Sequence, residues 1–133
     1  MKLRLVYTVF VLAAVQLTAG SFAAPKPSEL SKIMKQMLVF IEKEHEQIEA
    51  GRAPLRFPSD IQRLTKAKHT PGKKLSAEHK QYAADFFEEL GNYYQANDMA
   101  ERKAGYNTMV NSCVSCHQHE CPGPITVIKK NLL

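Results

Sequence analysis

The sequence predicts an all-α fold, a four-helix bundle, on three observations. Apolar residues recur at three- and four-residue spacing over most of residues 29–120. Serine or aspartate opens each such stretch, and glycine or proline follows the end of the first, second and fourth. No stretch reads convincingly as a strand with its two-residue alternation.

The first helix is expected from about Glu29 to Ala50, with Ser28 as N-cap and Gly51 as the stop. Leu30, Ile33, Met34, Met37, Leu38, Ile41 and Ile48 form its stripe. "GRAPLRFPS" then breaks the pattern with two prolines. A shorter helix is expected from Ser59, where Gln62 completes a capping box and Ile61 and Leu64 face inward. Ser76 is expected to cap a third helix of roughly twenty residues, a normal length for a helix. Its aromatic face runs through Tyr82, Phe86, Phe87, Leu90, Tyr93 and Tyr94. Asp98 and Glu101 open a fourth helix that continues to about Glu120, where "CPGP" stops it. No stripe buries itself alone, and four such helices solve that problem as a bundle.

Residues 1–23 stand apart. Lys2 and Arg4 precede the apolar run Leu5 to Leu17, and small residues follow, with Ser21 and Ala23 placed for cleavage before Ala24. That is the layout of a secretory signal peptide, implying export to the periplasm. The run is shorter than the ~20 residues of a spanning helix, so an uncleaved anchor is the weaker alternative. No stable membrane insertion is expected after cleavage. Residues 24–133 are then one domain with a modest core. The chain carries 18 Lys and Arg against 13 Asp and Glu. Lys2 and Arg4 leave with the leader, so the mature part is mildly basic and no nucleic-acid partner is expected. Arg52, Arg56, Arg63, Lys66, Lys68, Lys73 and Lys74 cluster in the middle as a solvated surface; the alternative is docking of an acidic partner.

Chemistry concentrates in "NSCVSCHQHEC", residues 111–121. Cys113, Cys116 and His117 spell C-x-x-C-H, and on a helix positions i, i+3 and i+4 share one face. Two thiols so placed can bond to the two vinyl groups of one haem, and the adjacent histidine can ligate its iron. One haem c per chain is therefore expected, with Cys113 and Cys116 as thioethers and His117 as the proximal ligand. Three alternatives compete: a local zinc site that adds His119 or Cys121, a redox dithiol, and a small structural disulfide. The dithiol lacks the βαβ context it needs. Cys121 is left over, either linking two chains or sitting buried at the helix end. His119, His69 and His79 are expected to face solvent.

With the motif near the C-terminus of a helical bundle, the chain resembles the class II c-type cytochromes, cytochrome c′ and its low-spin four-helix relatives. The resemblance covers most of the mature chain in architecture, and its specific motif is "CVSCH". That family usually carries an aromatic and then an arginine shortly after the histidine, whereas here "QHEC" follows. The resemblance implies a choice for the iron's sixth site, to be filled from the first helix. Met34 is the first candidate, Met37 the second, and His45 a remote third. A methionine ligand implies a protein that is not an enzyme and carries single electrons between redox proteins. An open site implies a five-coordinate binder of nitric oxide or carbon monoxide. Pairing into homodimers is also implied. Arg52, Arg56, Lys73 and Lys74 are candidates for pairing with haem propionates.

Overall fold

A computed structural model of the chain describes residues 26–133. The expected leader, residues 1–23, lies outside the described residues. Those described are all-helical, with no strand: α1 Glu29–Glu49, a 3-10 helix Ser59–Arg63, α2 His79–Tyr94, α3 Met99–Glu120 and α4 Ile125–Lys129. No described helix is long and apolar enough to cross a membrane.

α1 begins where expected. Ser28 is extended, and its hydroxyl accepts from the Ser31 amide at 3.2 Å. The helix ends in a Schellman turn. Gly51 takes φ +65°, its amide donates to the Ile48 carbonyl at 3.1 Å, and the Arg52 amide reaches Gln47 at 2.8 Å.

The second expected helix is reduced to one 3-10 segment of five residues. Pro58, not Ser59, precedes it, and no side chain caps it. The Pro58 carbonyl instead accepts from the Ile61 amide at 3.2 Å, which starts the turn one residue early and leaves no role for the expected box. Ile61 and Leu64 are buried, as their spacing implies. The segment then ties back to the start of α1. The Leu30 amide donates to the Lys68 carbonyl, the Lys68 amide to Glu29 Oε2, each at 3.0 Å, and Arg63 pairs with Glu29.

α2 starts at His79, two residues later than a Ser76 cap suggests. Ser76 is taken by the end of α3: its amide donates to Glu120 Oε2 at 3.1 Å and its hydroxyl to Glu120 Oε1. α3 begins as expected, with Asp98 accepting from the Glu101 amide at 2.8 Å. The Glu101 carboxylate returns to the Asn97 amide at 2.8 Å. After the "CPGP" break the chain forms one more short helix, α4, which the sequence reading did not anticipate. Five residues are too few to show a period, yet Ile128 is buried.

α2 and α3 form the most extensive helix pair, and α1 and α4 pack on α3. Gly105 is where α3 comes closest to α2, since a Cβ there would lie 3.2 Å from the Tyr93 Cα. Alanine would gain about 1 kcal/mol of helix propensity but press on backbone, for which overpacking costs about 1–3 kcal/mol. Gly105→Ala is therefore expected to lower stability by about 1 kcal/mol; urea denaturation showing a gain would refute the close approach.

One end of the core is polar. Glu44 is fully buried on α1; its Oε1 accepts from the Leu55 amide at 2.6 Å and its Oε2 from the Tyr93 hydroxyl at 2.5 Å. Arg102 Nη2 stands 3.4 Å from the same carboxylate, Nε donates to the Tyr93 oxygen at 3.0 Å, and Nη1 donates to the Arg52 carbonyl. Burial, and after it the hydrogen bond to Glu44, pushes the Tyr93 phenol above its ordinary value, so it stays a donor. Four segments meet in this junction: α1, the loop, α2 and α3.

Candidate cofactor site

The opposite end of the molecule is hollow. The last turns of α3 carry Cys113, Cys116 and His117 on one face, and all three line a cavity of about 270 Å³. Its apolar walls come from Met34, Met37, Leu38 and Ile41 of α1, Ala83 and Phe86 of α2, and Val127 and Ile128 of α4. A second cavity of about 240 Å³ adjoins it and shares Met34, Cys116 and His117. Together the two reach the about 300–1,000 Å³ of ordinary ligand pockets.

The thiols sit in an apolar setting. Burial, reinforced by Cys116, pushes Cys113 up to about 12, and burial with Glu120 raises Cys116 to about 11. Both are therefore protonated at neutral pH. A redox dithiol works through a lowered thiol pKa, so this environment does not suit that alternative. The three cysteines are free, and no disulfide joins Cys113 to Cys116. Nor do the residues proposed for zinc converge: among the described residues no three His, Cys, Asp or Glu side chains are grouped to hold a metal ion.

His117 is buried and held in a defined orientation. Its Nδ1 lies 3.0 Å from the Cys121 carbonyl, which can only accept, so Nδ1 carries the proton. In the neutral ring Nε2 then carries the lone pair, and among the described residues it has no hydrogen-bond partner. A ligating histidine is commonly oriented by such a bond from its other nitrogen. The "CPGP" stop makes this possible, because the Cys121 amide donates back to the His117 carbonyl at 3.1 Å and brings its own carbonyl over the ring. Cys121 is half-buried at the helix end, with Sγ 3.3 Å from His117 Nδ1.

The remaining candidates separate by position. Met34 is half-buried and lines both cavities, whereas Met37 is buried and lines the larger one. His45 lines neither; its Nδ1 lies 3.1 Å from the Asn131 carbonyl and its Nε2 3.4 Å from Glu49. His119 is exposed and stacks on Tyr82 at 5.3 Å. His69 is exposed at the rim of the smaller cavity. His79, expected in solvent, is instead buried and lines both cavities, with Nδ1 lacking a partner among the described residues. His79 stands four residues before Ala83 and seven before Phe86, so helical spacing puts it on the buried face of α2. Of the aromatic face, Phe86 and Tyr82 reach the larger cavity, while Tyr93 belongs to the polar junction.

The donor set thus fits haem c: a thiol pair one helical turn apart, a histidine with a free oriented nitrogen, and apolar walls. No family model matches the chain, and no curated protein and no solved structure is significantly similar to it.

Proposed function

We propose that the chain is an exported c-type cytochrome that carries single electrons between redox proteins, built as a four-helix bundle in which the 3-10 segment and its loop take the second place. One observation carries the reading: Cys113, Cys116 and His117 face a single apolar cavity, and His117 is oriented through Nδ1. Haem bound there supplies one-electron cycling between Fe(II) and Fe(III). Cys113 and Cys116 would hold it through thioethers, and His117 Nε2 would face the iron. Leu38, Ile41, Phe86 and Ile128 keep water from the cavity and lower the local dielectric. Electron transfer itself needs no general base. Met34 is the favoured sixth ligand because it lines both cavities, and Met37 is the second choice.

The absorption spectrum of the mature protein, made with haem-attachment machinery and recorded oxidised and reduced with and without carbon monoxide, tests this. A low-spin spectrum indifferent to the gas is expected. Met34→Ala should then convert it to a high-spin form that binds carbon monoxide. A wild-type spectrum already high-spin and gas-sensitive would replace the carrier by a five-coordinate gas-binding protein, with both methionines as packing residues.

A further inference from the structure

The smaller cavity differs in chemistry from the larger one. Its rim carries Lys73 and His69, the hydroxyl residues Ser28, Ser31 and Thr70, and the side of His79. The acidic residue on it, Glu120, is engaged by the amide and hydroxyl of Ser76. The apolar chamber therefore adjoins a second space whose lining adds hydroxyl and imidazole groups and one lysine. Within that space, His79 is the side chain whose polar atom is both buried and unpartnered among the described residues. It is 9% exposed, and its Nδ1 is buried with no hydrogen-bond partner. A buried donor or acceptor left unmade costs about 1–3 kcal/mol, so a position like this calls for a partner that the described residues do not provide.

We propose that His79 and Lys73 form the carboxylate-binding edge of the cofactor site, taking the propionates of the haem while the apolar body of the ring fills the larger chamber. The inference rests on the haem reading and adds to it the orientation of the group. Lys73 is placed by a tight turn, its amide donating to the Thr70 carbonyl at 3.1 Å, with Gly72 at φ +81°. His79 is placed by the first turn of α2, and its amide donates to the Ser76 carbonyl at 3.4 Å. An imidazole N–H meeting an ionised carboxylate makes a charge-assisted bond, stronger than a neutral one. The other cations the sequence offered fall away: Arg52 is bonded to Gln47, Arg56 lines a groove elsewhere, and Lys74 lines neither cavity.

The test uses the haem-loaded protein and its His79→Ala, His79→Gln, Lys73→Ala and Lys74→Ala variants, the last as control. Midpoint potential and the propionate bands of the resonance Raman spectrum are the readouts. Removing a donor leaves the carboxylate charge less compensated, which favours the ferric state and lowers the potential. His79→Ala is expected to shift the Fe(III)/Fe(II) ratio about tenfold, equal to about 59 mV for a one-electron couple. Lys73→Ala should shift it in the same direction by less, and His79→Gln, which keeps an N–H donor, should recover part of the loss. Potentials and propionate bands equal to those of Lys74→Ala in all three variants would overturn the assignment while leaving the cytochrome reading intact. Failure of the wild-type chain to acquire covalent haem would overturn both.

Discussion

Replacing Cys113 and Cys116 together by alanine is expected to abolish covalent haem attachment completely. Each thiol would form one thioether, so each single variant should keep one bond and the double variant none. The check is a haem stain of a denaturing gel, with intact mass of the purified chain, for wild type, both singles and the double. Haem carried through denaturation by the double variant would refute the assignment. Folding should tolerate the change well. Both side chains line a cavity instead of filling close-packed core, so the cost of truncation is smaller than the about 2–5 kcal/mol of a large core deletion. His117→Ala makes a useful contrast. It leaves both thiols in place, so covalent attachment persists while the low-spin spectrum is lost.

The second large effect lies at the other end of the molecule. Arg102→Met should destabilise the fold by about 3–5 kcal/mol, because it leaves the Glu44 carboxylate buried beside Tyr93 without its cation. Methionine keeps much of the volume, so the loss reports the charge and not a void. Pairing it with Glu44→Leu should return much of that stability, as removing both members of a buried ion pair is often neutral. Denaturant midpoints of the two singles and the double give the coupling. A loss below about 1 kcal/mol for Arg102→Met, the scale of an exposed pair, would show that water reaches the carboxylate.

Much of this was legible in the chain because it is written locally. Ser28 with Gly51, and Asp98 with Glu101, set α1 and α3 close to their expected limits, since caps act within one turn. Cys113, Cys116 and His117 face one cavity because helical spacing alone decides which face they share, and the packing of α1 brings Met34 to it. The start of α2 was missed because a distant residue took the local signal. Ser76 would cap α2 were it not held by Glu120, and that exchange shifts the helix start to His79. Glu44 is different, for its signal was present: it stands between Ile41 and Ile48 on the apolar stripe of α1, three residues after one and four before the other. A charge on such a stripe requires a buried partner, and Arg102, four residues before Tyr106 on the stripe of α3, supplies it.

The buried junction and the cavity occupy opposite ends of the same helices. From Met34 to Glu44 the axis of α1 runs about 15 Å, at about 1.5 Å per residue. At one end α1 is riveted by charge and hydrogen bonds to three other segments; at the other it faces space. Such a structure behaves as a clothes-peg. The jaws can part by local unfolding while the spring stays closed, since opening free energies vary along a chain with the density of contacts. A rigid planar group can therefore be admitted between the jaws without dismantling the molecule. In the haem-free chain, amide exchange around Leu30 to Met37 should run faster than around Glu44 and Tyr93, and loading should erase the difference.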